Sequence, residues 1–405
     1  MQPLRRLMDT IAPHFEEGGR FEKLYPAYEA IDTLLYSPDS VTRTASHVRD
    51  GLDLKRMMSI VIVALIPCVA VAIYNTGFQA SLAVSAGAFP LEDWQSGLFA
   101  ALGGRFDPES VLSCSLLGAL YFVPTVLVCY AVGLGIEIVS ASLRGHEVSE
   151  GFLVTGMLIP LTLPPTIPLW QVALGTAFGV IFGKEVFGGT GMNFLNPALV
   201  ARAFLFFSYP ADISGDAPWI AADFLAVDSF TGATLLSQAA ANPEALSGAS
   251  WSQAFVGWIP GSMGETSALA CLIGAGILIV TQVGSWRSMA GVTLGTFLTA
   301  ALLNWVGSET NPMFAVPFHW HLVLGGWALG TVYMATDPVS SSFTDGGRWL
   351  YGVGIGALTV LIRSVNPAYP EGMMLAILFM NMFAPLIDYF AVRRNIRRRL
   401  ARSAA

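Results

Sequence analysis

Charge is what this chain has least of. Asp, Glu, Lys and Arg make up 12% of its 405 residues, against about 25% in a typical soluble domain. Hydrophobic residues make up 54%. Together these values exclude an ordinary soluble globular domain. Cysteine is also sparse. Cys68, Cys114, Cys129 and Cys271 form no C-x-x-C pair and are scattered through apolar segments. They supply no disulfide framework, zinc site or iron–sulfur ligand set within this chain, so no protein-held metal is expected. Small buried apolar packing is their expected role. No apolar h-region precedes the first hydrophobic segment, so no cleavable signal peptide is expected. No G-x-G-x-x-G follows a strand pattern and no G-K-[ST] follows a glycine run, which leaves no evident site for NADH or a nucleotide phosphate. The net charge is −7, and nothing points to nucleic acid.

What remains is long apolar sequence. Ten hydrophobic segments, about 57–74, 112–140, 151–163, 169–183, 194–208, 266–282, 286–304, 321–335, 350–363 and 371–392, predict an all-α integral membrane protein. Several are short for a crossing. Basic residues fall mostly on one side of such a ten-span chain: Arg49, Lys55, Arg56, Arg144, Lys184, Arg287, Arg348 and the tail from Arg393 to Arg399. The opposite loops hold only Arg105, and Arg363 is an exception at the far edge of the ninth segment. The positive-inside rule then places both termini in the cytoplasm and the 209–265 loop on the outer, periplasmic side. The basic tail is a topology signal first and an anionic-lipid contact second.

The two halves echo each other. Thr162-Leu163-Pro164 and Thr336-Asp337-Pro338 lie 174 residues apart, and Asn196-Pro197-Ala198 and Asn366-Pro367-Ala368 lie 170 apart. Five segments per half make the second half inverted relative to the first, the pattern of a midplane site built from broken helices. Chance helix-end chemistry is the alternative, since N-P and D-P commonly start turns. The expected organisation is an arm at 1–55, a first repeat at 56–208, a loop at 209–265, a second repeat at 266–392 and a basic tail at 393–405. In the arm, Phe21, Leu24, Tyr25, Tyr28, Ile31, Leu34 and Leu35 stand near helical spacing, suited to the membrane surface, a partner or the chain's own bulk. The architecture alone suits either a carrier or channel for a small polar solute, or a redox subunit.

Several residues could carry chemistry. The loop from Gly183 to Pro197 joins four glycines at its turn to Asn193 and Asn196, which offer both donors and acceptors. A tight re-entrant turn explains the same residues. Ionisable groups inside apolar segments are functional candidates: Glu137, Arg202, Asp337 and Asp388. Asp388 reads equally as a snorkelling interfacial residue, and Asp337 as a cap beside Ser340–Ser342. Gly133 and Gly135 thin the second segment for a flat ring or a neighbouring helix. His319 and His321 read as interfacial anchors beside Trp320. Asp228-Ser229-Phe230-Thr231-Gly232-Ala233-Thr234 is, by composition, a turn.

A resemblance changes the weight of these residues. The D-x-x-T-G-A-T run resembles the flavinylation site of membrane flavoprotein subunits of bacterial respiratory complexes. With it, Met57–Gly77, KEVFGGTGMNFLNPALVARAFLFFSYP from Lys184 to Pro210, Ala335–Asp388, and the arm's Ser46-His47-Val48-Arg49-Asp50 and Asp53-Leu54-Lys55-Arg56 resemble the B subunit of the Na+-translocating NADH:quinone oxidoreductase family. The D subunit of the Rnf complex shares the general pattern, but the long arm fits the sodium-pumping family better. The resemblance covers nearly the whole chain. It implies FMN esterified to Thr234 within the Asp228, Thr231, Gly232, Ala233 frame, attached by a flavin transferase on the outer side. It also implies riboflavin between the spans, with Asn193, Asn196, Thr162 and Arg202 as candidates. A site for ubiquinone is implied around Gly133, Leu134 and Glu137; Leu134 replaces a second glycine of the family pattern. Glu137, Asp337 and Asp388 are implied in sodium coupling. The implied partners are the other members of a six-subunit respiratory complex, among them an external FMN subunit and an NADH-oxidising subunit. An Rnf-type subunit of a ferredoxin:NAD oxidoreductase is the nearest alternative.

Overall fold

The computed structural model describes residues 54–144, 151–223, 231–366 and 371–403, with 2–15, 18–22, 25, 28, 29, 32 and 36 of the arm. Asp228, Pro367, Ala368 and most of the arm's apolar positions lie outside the described residues. The arm begins with α1 (Gln2–Ile11). Its Arg5 pairs with Asp32 at 3.0 Å, and Phe15 stacks on Tyr28 at 5.4 Å between ring centroids.

The remainder is mostly helical. The main helices are α2 (Leu54–Ser85), α3 (Val111–Arg144), α4 (Phe152–Leu161), α5 (Leu169–Gly183), α6 (Pro197–Ser208), α7 (Leu235–Ala241), α8 (Ala268–Val280), α9 (Trp286–Val306), α10 (Asp345–Val365) and α11 (Met373–Ser403). Four of them, α2, α3, α9 and α11, are long and apolar enough to cross a membrane. A two-residue antiparallel bridge, Phe89–Pro90 with Ala222–Asp223, ties two loops together.

Helix contact is close because glycine permits it. A Cβ built on Gly118 of α3 would stand 1.7 Å from the Ile73 carbonyl oxygen of α2. Without a side chain there, the two backbones approach directly, as membrane helices do through small residues. The short α4 sits against α2, α3 and α6, while α11 packs on α10 and also reaches α6. The short helices are thus held inside a frame of longer ones.

Two expectations need correction. The 321–335 segment is not one span-length helix. Helix Phe318–His321 stops, Gly325 takes φ +60, and helix Trp327–Leu329 continues as a π turn over Gly330–Met334. Hydropathy alone cannot distinguish a broken segment from a continuous helix. His321 is not an interfacial anchor either. It is 1% exposed, and its backbone carbonyl accepts a hydrogen bond from Arg363. Arg363 is itself fully buried, which explains why it escapes the charge bias of the loops.

Candidate functional site

The structure assembles two polar cavities from residues far apart in sequence. The first gathers around the loop between α5 and α6. Gly188, Gly189 and Gly191 take φ +115, +97 and +91, conformations an L side chain rarely adopts. They turn the chain so that Asn193 locks its own loop. Asn193 Oδ1 accepts from the Gly191 amide at 3.2 Å, and its Nδ2 donates to the Leu195 carbonyl at 2.9 Å. Asn196 is the N-cap of α6, accepting from the Ala198 amide at 3.0 Å, with Pro197 at the first helical position. Its Nδ2 reaches Asp337 Oδ2 at 3.4 Å, linking the two halves of the chain.

Around these residues lies a cavity of about 60 Å³. Lys184, Thr190, Asn193, Asn196, Thr336 and Asp337 supply polar walls, while Val61, Val154, Leu158 and Leu278 supply an apolar one. Tyr333 also lines it, donating its hydroxyl to the Ala64 carbonyl at 2.6 Å. Asp337 accepts from Ser340 Oγ at 2.7 Å and from the Val339 amide at 3.2 Å, so it also caps its own turn.

Lys184 turns away to form a buried ion pair with Glu137 of α3. The two residues are each 3% exposed. Gly133, one turn before Glu137, packs against α4: an added Cβ would meet the Phe152 ring at 1.9 Å. The space beside Gly133 is therefore filled by an aromatic ring, as helix packing requires. Leu134 is half-buried, and a Cβ on Gly135 would meet nothing within 4 Å.

Thr162 and Arg202 do not join Asn193 and Asn196. Thr162 donates to the Ile159 carbonyl at 2.9 Å, closing the end of α4. Arg202 lies six residues beyond Asn196 along α6, about 9 Å at 1.5 Å per residue. That distance carries it to a second cluster, where it bonds Glu371 at 3.0 Å and stands 3.7 Å from Glu265. Asp388 is separate again. Its carboxylate accepts from Ser342 Oγ (2.7 Å), Thr344 Oγ1 (2.6 Å), and the amides of Phe343 (2.8 Å) and Thr344 (3.0 Å). It thereby fastens α11 to the turn that starts α10.

The second cavity, about 20 Å³, lies beside Thr234. Thr234 is half-buried and N-caps α7, accepting from the Ser237 amide at 3.2 Å. Thr231 Oγ1 accepts from the Ala233 amide at 3.2 Å, and Gln238 Nε2 donates to the Ala233 carbonyl at 2.8 Å. Gly232 and Ala233 are buried. Residues 231–234 thus form a turn held by side chains, with Thr234 at the cavity's edge. Glu265 and Glu371 line the same cavity, and sequence reading missed both. Their only signal was position, each beside the start of an apolar segment. The four cysteines are buried, and Cys68 and Cys271 bring their sulfurs to 3.7 Å.

Comparison with known proteins converges on one group. A protein of Chromohalobacter salexigens, named as the B subunit of Na(+)-translocating NADH-quinone reductase, is 56% identical over 404 residues, covering 99% of this chain and 97% of the relative. Proteins of the same name from Pseudomonas aeruginosa and Azotobacter vinelandii are 57% and 55% identical over 406 residues, covering 99% of both chains in each case. The profile of the NQR2, RnfD, RnfE family matches residues 41–397. With nearly every residue matched at more than half identity, the chain belongs to the NQR2, RnfD, RnfE family.

Proposed function

We propose that this chain is the membrane redox subunit of an Na+-translocating NADH:quinone reductase, with FMN esterified to Thr234 and riboflavin held beside Asn193 and Asn196. The observation that carries the reading is the Thr234 turn. Thr231, Gln238 and Ser237 fix it, and the half-buried Thr234 lies at a cavity edge with its hydroxyl bonded to Ser237 of the same turn. The relatives' shared name supports the same reading.

The residues suit both groups. A phosphoester at Thr234 Oγ1 tethers a flavin to a turn held also by Thr231 and Gln238, whose hydrogen bonds do not involve that oxygen. The Asn193 cavity pairs an apolar wall with amide, hydroxyl and carboxylate groups, the chemistry a flat ring with one polar edge requires, but at about 60 Å³ its walls would have to part to admit the whole ring. A flavin, once bound, supplies exchange between one-electron and two-electron carriers. The protein's own part is placement and electrostatics. Asn193 and Asn196 stiffen the cavity wall, and the Lys184–Glu137 pair keeps a neutralised charge beside it. Thr162 and Arg202 are left out of the riboflavin set, because their hydrogen bonds lie elsewhere.

The wider reading follows the family. Ten crossings in two inverted repeats place both termini in the cytoplasm and the Thr234 loop in the periplasm of a bacterial inner membrane. The units are 1–55, 56–208, 209–265, 266–392 and 393–405. An external FMN subunit and an NADH-oxidising subunit deliver electrons, and ubiquinone accepts them near Gly133, Leu134 and Glu137. Glu137, Asp337 and Asp388 take part in sodium coupling.

The test is an unstained denaturing gel under ultraviolet light. Cells that carry the flavin transferase should give a fluorescent band, and Thr234→Ala should not. No band from the unmodified chain would return the carrier reading to first place.

A further inference from the structure

The Thr234 cavity contains a buried carboxylate whose ion-pair partner, Arg202, stands 3.7 Å away. Glu265's side chain is 2% exposed, yet both of its oxygens lack a hydrogen-bond partner among the described residues. Two guanidinium groups are close, and neither satisfies it. Arg363 directs its N–H groups at the backbone carbonyls of His321 (3.0 Å), Leu324 (2.7 Å) and Glu371 (3.0 Å). Arg202 donates to Glu371 at 3.0 Å and to Ser262 Oγ at 3.4 Å, and remains 3.7 Å from Glu265, beyond hydrogen-bond reach. An anion left like this in a low-dielectric interior is costly unless another group meets it.

The chain also keeps the space clear. A Cβ built on Gly326 would lie 2.8 Å from Glu265 Oε1. The cavity of about 20 Å³ has room for about one water-sized sphere. Its polar side chains present oxygen: the Glu265 and Glu371 carboxylates with the hydroxyls of Ser262, Thr266 and Thr234. Neither sulfur nor imidazole is among its described lining groups. Such a set suits a small hard cation and not a transition metal.

We propose that Glu265, with Ser262 and Thr266, forms a binding site for a single Na+ next to the flavin-bearing threonine. The site rests on the reading of the chain as a sodium-translocating subunit. Its position adds a coupling. Negative charge gained by a group on Thr234 strengthens the site, and an occupied site by the same factor favours that charge.

The experiment is equilibrium 22Na+ binding to the purified complex, oxidised and reduced, with Glu265→Gln, Glu265→Asp and Ser262→Ala. Glu265→Gln should lose one bound Na+ per complex, Glu265→Asp should keep a weakened site, and Ser262→Ala should weaken it about tenfold. Reduction should tighten binding in the unmodified complex and not in Glu265→Gln. Fluorescence of the Thr234 band, read on the same samples, reports folding and flavin attachment separately. A fluorescent Glu265→Gln complex with unchanged Na+ binding overturns the site. Unchanged Na+ binding with lost proton release would make Glu265 a proton carrier and also overturn it. Should Glu265→Gln not assemble, Ser262→Ala decides by the same criterion. Tightening on reduction that persists in a non-fluorescent Thr234→Ala complex would retain the site and remove its link to the flavin.

Discussion

Lys184 and Glu137 form an ion pair buried between the end of α5 and the C-terminal part of α3. Removing one partner strands the other charge. Glu137→Gln or Lys184→Met alone should destabilise by about 3–5 kcal/mol, while the double change Glu137→Met with Lys184→Met should recover most of that loss. Thermal unfolding of the solubilised complex measures both. A double variant as unstable as the singles would mean that the two residues act separately.

Asp388 has four donors on its carboxylate, two of them backbone amides. Asp388→Asn keeps one acceptor oxygen and should cost about 1–3 kcal/mol through the donors left unmet. If Asp388 also serves sodium coupling, sodium-stimulated turnover should fall beyond what the loss of folded complex explains. Turnover per folded complex that stays unchanged removes Asp388 from the coupling set.

Asn196 has two tasks that substitution can separate. Asn196→Ser keeps a cap for α6 and loses the link to Asp337. Asn196→Ala loses both, and the missing cap should cost about 1 kcal/mol. Riboflavin extracted from the purified complex and quantified by chromatography should fall in both variants. Normal riboflavin content in Asn196→Ser would leave Asn196 as a cap alone.

Thr231 holds the Ala233 amide and so shapes the turn before Thr234. Thr231→Ala should lower the fluorescence of the Thr234 band, and Thr231→Ser should restore it. Gel fluorescence normalised to protein gives the ratio. Equal bands in all three would show that transferase recognition does not depend on this turn.

Gly118 sits where α3 meets the backbone of α2. Gly118→Ala must push the helices apart and should cost about 1–3 kcal/mol as overpacking. Gly135→Ala, which meets open space, should be nearly silent by the same thermal assay.

Helix positions were largely legible in the sequence, because apolar length is a direct signal. The limits show at 321–335, where Gly325 and Gly326 break a segment that hydropathy reads as continuous. The Asn193–Asn196 loop was legible too, since its glycines and its Asn-Pro cap act locally. The polar pairs were not. Glu137 finds Lys184 across 47 residues, and Arg202 finds Glu371 across 169. Nothing in local composition announces either pairing, so Arg202 was grouped with Asn196, its neighbour in sequence, and not with the carboxylates it meets. Glu265 escaped for the same reason.

Arg363 binds three carbonyls, those of His321 and Leu324 on one side of the broken segment and that of Glu371 at the foot of α11. No water reaches it to take over a lost bond, because it is fully buried. Parting any one of these segments from α10 would leave a bare guanidinium in hydrocarbon-like surroundings. The segments are therefore riveted to α10 and shift as one body. The wall of the Thr234 cavity formed by Leu324 and Glu371 is thereby pinned from behind by one side chain.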